Sequence, residues 1–165
     1  MPEAGQPHRA DPQKSLVGFF VGDVHYALDI GRVREIVNPL EITPLPHTPS
    51  EVAGVADHRG EVVPIIDLRT RFGLPHPDEL RTTKWILVRA GARTVGLIVD
   101  GVTEVFGTGG EDLRPTPEVG GKKDVRGIAG VATHSGRLTF VLDAGRFVDI
   151  VDSLAAAGAL PEVDE

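Results

Sequence analysis

An internal duplication constrains this chain more than any other feature of its sequence. Residues 52–67 align without gaps on residues 128–143 at an offset of 76, and seven of these sixteen positions are identical. Residues 28–37 align on residues 97–106 at an offset of 69, so the second half has a longer connector, which falls within residues 107–124. A repeat of this length indicates two copies of one structural unit whose hydrophobic faces pack together.

The order of apolar runs and turns predicts β-hairpins in both copies. Short apolar strands flank Gly22-Asp23 and, in the second copy, residues 91–93, and glycine is suited to tight hairpin turns. Twenty glycines and thirteen prolines punctuate the chain, which favours an all-β protein over a helical one. We therefore predict two small β-barrels, each copy running as hairpin, V-x-E segment, connector, hairpin and helix, over about residues 15–73 and 84–158.

Two aspartates occupy the same position of the repeat, each directly after an aliphatic strand. We interpret Asp67 and Asp143 as the N-caps of short helices rather than as a catalytic pair of carboxylates. Apolar residues recur at helical spacing between positions 147 and 154, which predicts a C-terminal helix with one buried face. Pro64 stands in the middle of a strand and predicts an edge or a bulge, because proline cannot donate to a ladder.

Composition excludes several classes of function. A formal net charge of -7 argues against a nucleic acid or an anionic membrane as partner, and the absence of cysteine excludes disulfides and thiolate chemistry. The six histidines show no metal-ligand spacing, no serine lies in a nucleophile elbow, and the glycine-rich stretch 107–112 lacks the Lys-Ser/Thr of a phosphate loop. We therefore expect no catalysis, no cofactor and no metal.

The ends of the chain read as polar tails, over residues 1–14 and 159–165, and the N-terminal one is expected to be disordered. It has no apolar core of a secretion signal, and no apolar run approaches the roughly 20 residues of a membrane helix. The sequence therefore predicts a cytoplasmic protein that does not insert into a membrane.

The copies differ where function can have specialised. His58 recurs as His134 and reads as a duplicated turn residue, whereas Arg59 is replaced by Ser135. An arginine at a glycine-ended turn is expected to be exposed and free to bind a partner carboxylate, although a solvated surface arginine is the alternative. Glu35 recurs as Glu104, so part of its role is expected to be structural.

Together these segments resemble the CheW family of bacterial chemotaxis coupling proteins, over about residues 15–152. The matching segments are "YALDIGRVREIV" (26–37), "GVADHRGEVVPIIDLRTRF" (54–72), and "VGLIVDGVTEVF" (95–106) followed by "LRPTP" (113–117). The resemblance implies two intertwined five-stranded SH3-like barrels, no catalysis, and one CheW-like domain over residues 15–158.

The resemblance also implies partners and contact residues. In the family, a chemoreceptor tip packs into an apolar groove between the barrels, and the regulatory domain of a CheA-type histidine kinase docks barrel to barrel. By that analogy Val33, Glu35 and Ile36 line or flank the receptor groove. Arg59 matches the arginine of the family's N-L-R-G turn, where this chain has Asp57 and His58 in place of Asn and Leu.

Three hypotheses follow for the function of the chain. The first is a non-enzymatic adaptor that couples chemoreceptors to the kinase. The second is an accessory variant that binds only one of these partners or competes with the standard coupler; the D-H-R-G turn motivates it, and Asp57 is close enough to pair with Arg59. The third is a regulator that responds to a metal or a small molecule through the duplicated histidines.

Overall fold

The computed structural model describes residues 15–76, 82–107, 113–115, 128–158 and 160. Both predicted tails lie outside this part of the chain, except for Leu160, and so does most of the predicted connector. The described strands and helices are β1 (Ser15–Val21), β2 (Val24–Asp29), β3 (Val33–Val37), β4 (Val52–His58), β5 (Glu61–Asp67), α1 (Leu68–Arg71), β6 (Lys84–Ala90), β7 (Arg93–Val99), β8 (Gly101–Gly107), β9 (Leu113–Pro115), β10 (Ile128–His134), β11 (Arg137–Leu142) and α2 (Val148–Ala156).

The strands form two sheets, and the sheets exchange elements between the two copies. The first sheet has the order β8-β1-β2-β11-β10-β9, and the second has the order β3-β6-β7-β5-β4. Two parallel pairings, β2 with β11 and β5 with β7, join a hairpin of one copy to a hairpin of the other. The predicted all-β, intertwined architecture is confirmed.

The first sheet has a sixth strand that the prediction of five did not include. Strand β9 pairs with β10 over three residues, whereas in the second sheet the corresponding contact with β4 is the single bridge between Thr43 and Val55. The longer connector of the second copy supplies this extra strand.

The main hydrophobic core lies between the two sheets. It includes Phe19 and Leu28 from the first sheet and Ile86 and Leu97 from the second, each of them fully buried. Helix α2 covers this core with Val151 and Leu154. A second cluster fills the opposite face of the second sheet alone; its buried members are Ala56, Val63, Ile65, Trp85 and Leu87.

Both aspartate caps are confirmed. The Asp67 carboxylate accepts from the backbone N–H groups of Arg69 and Thr70 at the start of α1. The Asp143 carboxylate accepts from the Gly145 N–H at 2.9 Å, at the start of a 3-10 turn that leads into α2. Each aspartate satisfies the free donors of a helix start, which accounts for its place in the repeat.

Of the two alternatives predicted for Pro64, the edge is wrong, because β5 lies between β4 and β7. A bulge does occur next to it, since the register of β4 against β5 shifts between Val52 and Gly54, opposite Ile66 and Ile65. The backbone N–H and C=O of Val55, opposite Pro64, bond to Thr43 and not to β5. Pro64 therefore faces a position of the antiparallel ladder that needs no donor, and pairing with β7 begins only at Ile65. As expected, the copies differ in exposure here, since Pro64 is buried and its counterpart Phe140 is half-buried.

A buried ion pair links the two copies near the hairpin tip of β1 and β2. The Arg69 guanidinium donates to both oxygens of Asp100, from Nε at 3.0 Å and from Nη2 at 2.6 Å. The same carboxylate accepts from the Gly22 N–H at 2.7 Å. The hydrogen bonds to Asp100 hold the pKa of Arg69 above its ordinary value, so this guanidinium stays charged.

Candidate functional site

A β-bulge in strand β3 changes which of its residues share a face. The register against β6 shifts between Val33 and Glu35, so Val33 lies opposite Val88 and Ile36 lies opposite Ile86. Both of these partners belong to the main core between the sheets. Glu35 lies opposite Leu87, whose side chain belongs to the other cluster. Val33 and Ile36 thus share the intersheet face, and Glu35 lies on the opposite face of the sheet.

The turn between β4 and β5 holds Arg59 in an unusual backbone conformation. Arg59 has φ 54° and Gly60 has φ 85°, so both central residues of this two-residue turn are left-handed, as a type I′ turn requires. A non-glycine residue other than Asn or Asp is uncommon at such a φ. The Asp57 carboxylate accepts from the Gly60 N–H at 2.9 Å and so stabilises the turn.

Glu35 brings the two outer strands of the second sheet together. Its carboxylate meets His58 Nε2 at 3.1 Å through Oε1 and accepts from Arg59 Nη2 at 3.0 Å through Oε2. Strand β3 is at one edge of this sheet and β4 at the other, so the sheet curls until its edges face each other. We call Glu35 and His58 the first Glu–His pair.

Two expectations about Arg59 are corrected by this geometry. Its side chain is 74% exposed, as expected, but it is bound to Glu35 instead of being free. Asp57 does not pair with it, because the Asp57 carboxylate is directed at the backbone of the turn. Of the six predicted contact residues, the structure brings Glu35, His58 and Arg59 together and keeps Asp57 in the same turn; Val33 and Ile36 lie on the other face of β3.

Charged residues that the sequence analysis did not single out surround this site. Arg34 donates from Nη1 to Thr94 Oγ1 at 2.6 Å and lies 3.8 Å from Glu61 Oε1. Together with Glu35, His58 and Arg59 they line an open basin of about 290 Å³. In the other copy, the positions of Arg34, Thr94 and Glu61 hold Thr103, His25 and Arg137. These residues therefore differ between the copies, as Arg59 does.

The second copy repeats the Glu–His pair. The His134 imidazole contacts the Glu104 carboxylate, which joins β8 to β10 across the first sheet. We call these two residues the second Glu–His pair. The Phe106 ring stacks on His134 with 3.8 Å between ring centroids and an angle of 12° between planes. Both residues recur at equivalent positions of the repeat, and this recurrence is the sequence pattern that could have indicated the pairing.

Neither a metal site nor a membrane-spanning helix is found among the described residues. No group of three His, Asp or Glu side chains there is arranged to hold a metal ion. No helix among the described residues has the length and apolar character that a membrane crossing requires.

Comparison with known proteins gives one consistent family. The model of the CheW-like domain matches residues 15–151. The chain is 32% identical to the chemotaxis protein CheW of Rhizobium meliloti (strain 1021) over 136 residues, which cover 82% of this chain and 88% of that protein. It is also 32% identical to the Klebsiella aerogenes protein of the same name, over 83% of this chain and 86% of that one.

A solved structure agrees with these sequence matches. The crystal structure of the scaffolding protein TtCheW from Thermoanaerobacter tengcongensis superposes with a TM-score of 0.73 at 31% identity. The match covers 79% of this chain and 89% of that one.

Proposed function

The chain belongs to the CheW-like family of non-enzymatic chemotaxis adaptors, and on that premise we propose that it couples chemoreceptors to a CheA-type histidine kinase. Its role is to bind both partners at once in the cytoplasm, where receptor tips and kinase meet. The domain that does so extends over residues 15–158.

The observation that carries this proposal is the state of Arg59. A left-handed backbone costs a residue with a Cβ roughly 1–2 kcal/mol, and the ion pair with Glu35 is exposed and returns less than about 1 kcal/mol. Folding alone therefore gives little reason to keep an arginine at this position. Ser135 has the same φ of 54° at the equivalent turn, so the backbone conformation belongs to the repeat. The exposed guanidinium, which only Arg59 brings to this turn position, is what supports it as a residue that binds a partner carboxylate.

The pairing with Glu35 prepares Arg59 for such an exchange. Only one guanidinium nitrogen bonds to Glu35, so the other donors of the fork remain available for a partner at a 74%-exposed side chain. A partner carboxylate that binds these donors does not need to break the Glu35 contact. Asp57 and His58 then act by holding the turn and Glu35 in place.

We propose that the chemoreceptor tip binds the intersheet face of β3. Ile36 is 39% exposed, and its counterpart Val105 on β8 is 56% exposed, so both copies offer an aliphatic side chain at the edge of the main core. Val33 packs against that core beneath this edge. An apolar helix tip placed there would bury these side chains, whereas Glu35 would serve the turn on the opposite face.

Binding measured separately to each partner tests the proposal. The intact chain is expected to bind both an isolated kinase regulatory domain and a receptor tip in calorimetric titrations. Arg59→Asn keeps a residue that tolerates the left-handed backbone and removes the guanidinium, so affinity for at least one partner should fall by about ten- to a hundredfold. Ser135→Asn, at the equivalent turn of the other copy, is the matched control and should leave both affinities unchanged.

Thermal unfolding separates folding from binding in this test. Arg59→Asn should keep the midpoint within a few degrees, because it exchanges a weak surface ion pair for a better turn residue. If the intact chain binds neither partner, the adaptor proposal fails. If it binds only one, the protein is an accessory variant and not a coupler.

A further inference from the structure

The face of the first sheet that carries the second Glu–His pair holds a cavity of about 190 Å³ that is open to solvent. It lies at the positions equivalent to the basin of about 290 Å³ in the second sheet, so both copies have a pocket beside the Glu–His pair. The two pockets differ in their lining, because Gly18, His25 and Arg137 stand where the second sheet has Leu87, Thr94 and Glu61. The cavity of the first sheet has room for roughly six water molecules or a small organic ligand.

A guanidinium without a carboxylate partner lies in the lining of this cavity. Arg137 contacts His25, with 3.2 Å between Nη1 and Nε2, and no carboxylate among the described residues pairs with it. Burial, together with the positive charge of Arg137, lowers the pKa of His25. His25 is therefore neutral at pH 7 and accepts from the guanidinium without cancelling its charge.

The remaining charges of the lining are already paired. Glu104 contacts His134, and the Phe106 ring stacks on that imidazole, so this carboxylate already has a partner. In the second sheet the position of Arg137 holds Glu61, and the position of His25 holds Thr94, to which Arg34 donates. At these equivalent positions, an arginine without a carboxylate partner among the described residues occurs in the first sheet and not in the second.

We propose that this cavity binds a small monocarboxylate, with the carboxylate on the Arg137 guanidinium and the hydrocarbon part against Phe106. A planar guanidinium fork matches the two oxygens of a carboxylate, which favours this group over an amide or an alcohol. The nearby Glu104 carboxylate disfavours ligands with two or more negative charges, such as phosphate. The proposal does not depend on the adaptor function, because it uses the cavity of the first sheet and not Arg59.

Titrations of the full chain followed by amide chemical shifts test this site. Acetate and butyrate are expected to produce saturable shifts at Gly18, His25 and Thr139, and butyramide, the uncharged analogue, should bind at least about tenfold more weakly than butyrate. Inorganic phosphate is expected to bind more weakly than butyrate. Arg137→Glu, which installs the residue of the other copy, should abolish the butyrate shifts.

Charge-matched and shape-matched variants control for indirect effects. Arg89→Glu makes the same charge change at an exposed position of the second sheet and should leave butyrate binding intact. Thr139→Val installs the residue found at the equivalent position of the second sheet, Val63. It keeps the shape of the side chain and should also retain binding. The proposal is overturned if no carboxylate gives saturable shifts, if butyramide or phosphate binds as tightly as butyrate, or if Arg137→Glu binds butyrate like the unchanged chain.

Discussion

The two Glu–His pairs occupy equivalent places in the two copies, yet their surroundings differ. The first pair is joined by Arg59, whereas the second is more exposed, has the Phe106 ring stacked on His134, and has Ser135 at the matching turn position. Both copies have a contact that joins two strands of one sheet across its curvature, β3 to β4 in the second sheet and β8 to β10 in the first. Only the first pair has a guanidinium bound to its glutamate. The comparison separates a scaffold contact from a binding feature within one chain.

The pockets beside the two pairs differ in the charges that line them. In the second sheet Arg34 lies 3.8 Å from the Glu61 carboxylate. In the first sheet Arg137 stands at the position of Glu61 and contacts His25, and no carboxylate among the described residues pairs with it. The repeat therefore keeps the pocket and changes its charge.

The largest expected effect concerns an interaction that has no second copy. The positions equivalent to Asp100 and Arg69 hold Gly31 and Gly145, so nothing in the duplicate can replace this ion pair. Asp100→Ala leaves the Arg69 guanidinium, whose side chain is only 16% exposed, without its carboxylate. We expect the free energy of unfolding to fall by about 3–5 kcal/mol in urea titrations at pH 7.

Asp152→Ala provides the control, because Asp152 is exposed on α2 and its loss should change stability by less than about 0.5 kcal/mol. Similar stabilities for the two variants would show that the ion pair contributes nothing to holding the copies together.

A second prediction addresses the hydrophobic cluster on the second sheet. Leu87→Ala removes a side chain that packs with Trp85 and Val63 in the cluster of the second sheet. We expect a loss of about 2–5 kcal/mol from this 1%-exposed leucine, measured by urea unfolding. Leu138→Ala, on the first sheet at 53% exposure, should cost little. Equal costs would contradict the view that Leu87 is tightly packed in this cluster.

The smallest expected effect is a pH dependence of the free energy of unfolding that arises from His25 in the first sheet. The pKa of His25 is lowered in the folded chain from the ordinary value of 6.5. The unfolded chain therefore binds this proton first, and the free energy of unfolding decreases as the pH falls below about 6.5. His25→Thr, the residue of the other copy, should remove this part of the decrease between pH 7 and pH 5. An unchanged pH profile would show that His25 does not cause it.

Much of the fold was predictable because duplication makes the pattern of strands and turns visible twice. The hairpins, the aspartate caps and the helix α2 follow from local sequence and appear as expected. The residues alone did not reveal that the copies exchange strands, since both copies present similar edges and pairing partners depend on tertiary packing. The exchange followed only from the resemblance to a family.

The candidate site was predictable in its residues but not in its arrangement. Glu35 and His58 were each recognised as repeated, yet their pairing depends on the curvature of the sheet, which no local pattern encodes. Val33, Glu35 and Ile36 were grouped together; regular alternation would put Val33 on the face of Glu35, but the bulge between them places Val33 on the face of Ile36 instead. One inserted residue reverses the alternation of a strand, and polar and apolar patterning over five residues is too short to show it.

The order of strands in the two sheets has a consequence for how the protein is made. The second sheet uses one continuous segment, from β3 to β7, whereas the first combines β1 and β2 with β8 to β11 on the far side of that segment. During synthesis the inner segment can pair as soon as β7 has left the ribosome. The first hairpin must wait with the β2 edge open until β11 emerges more than a hundred residues later. We therefore expect nascent chains that stop before residue 137 to expose this edge, which makes it the place where chaperones would act.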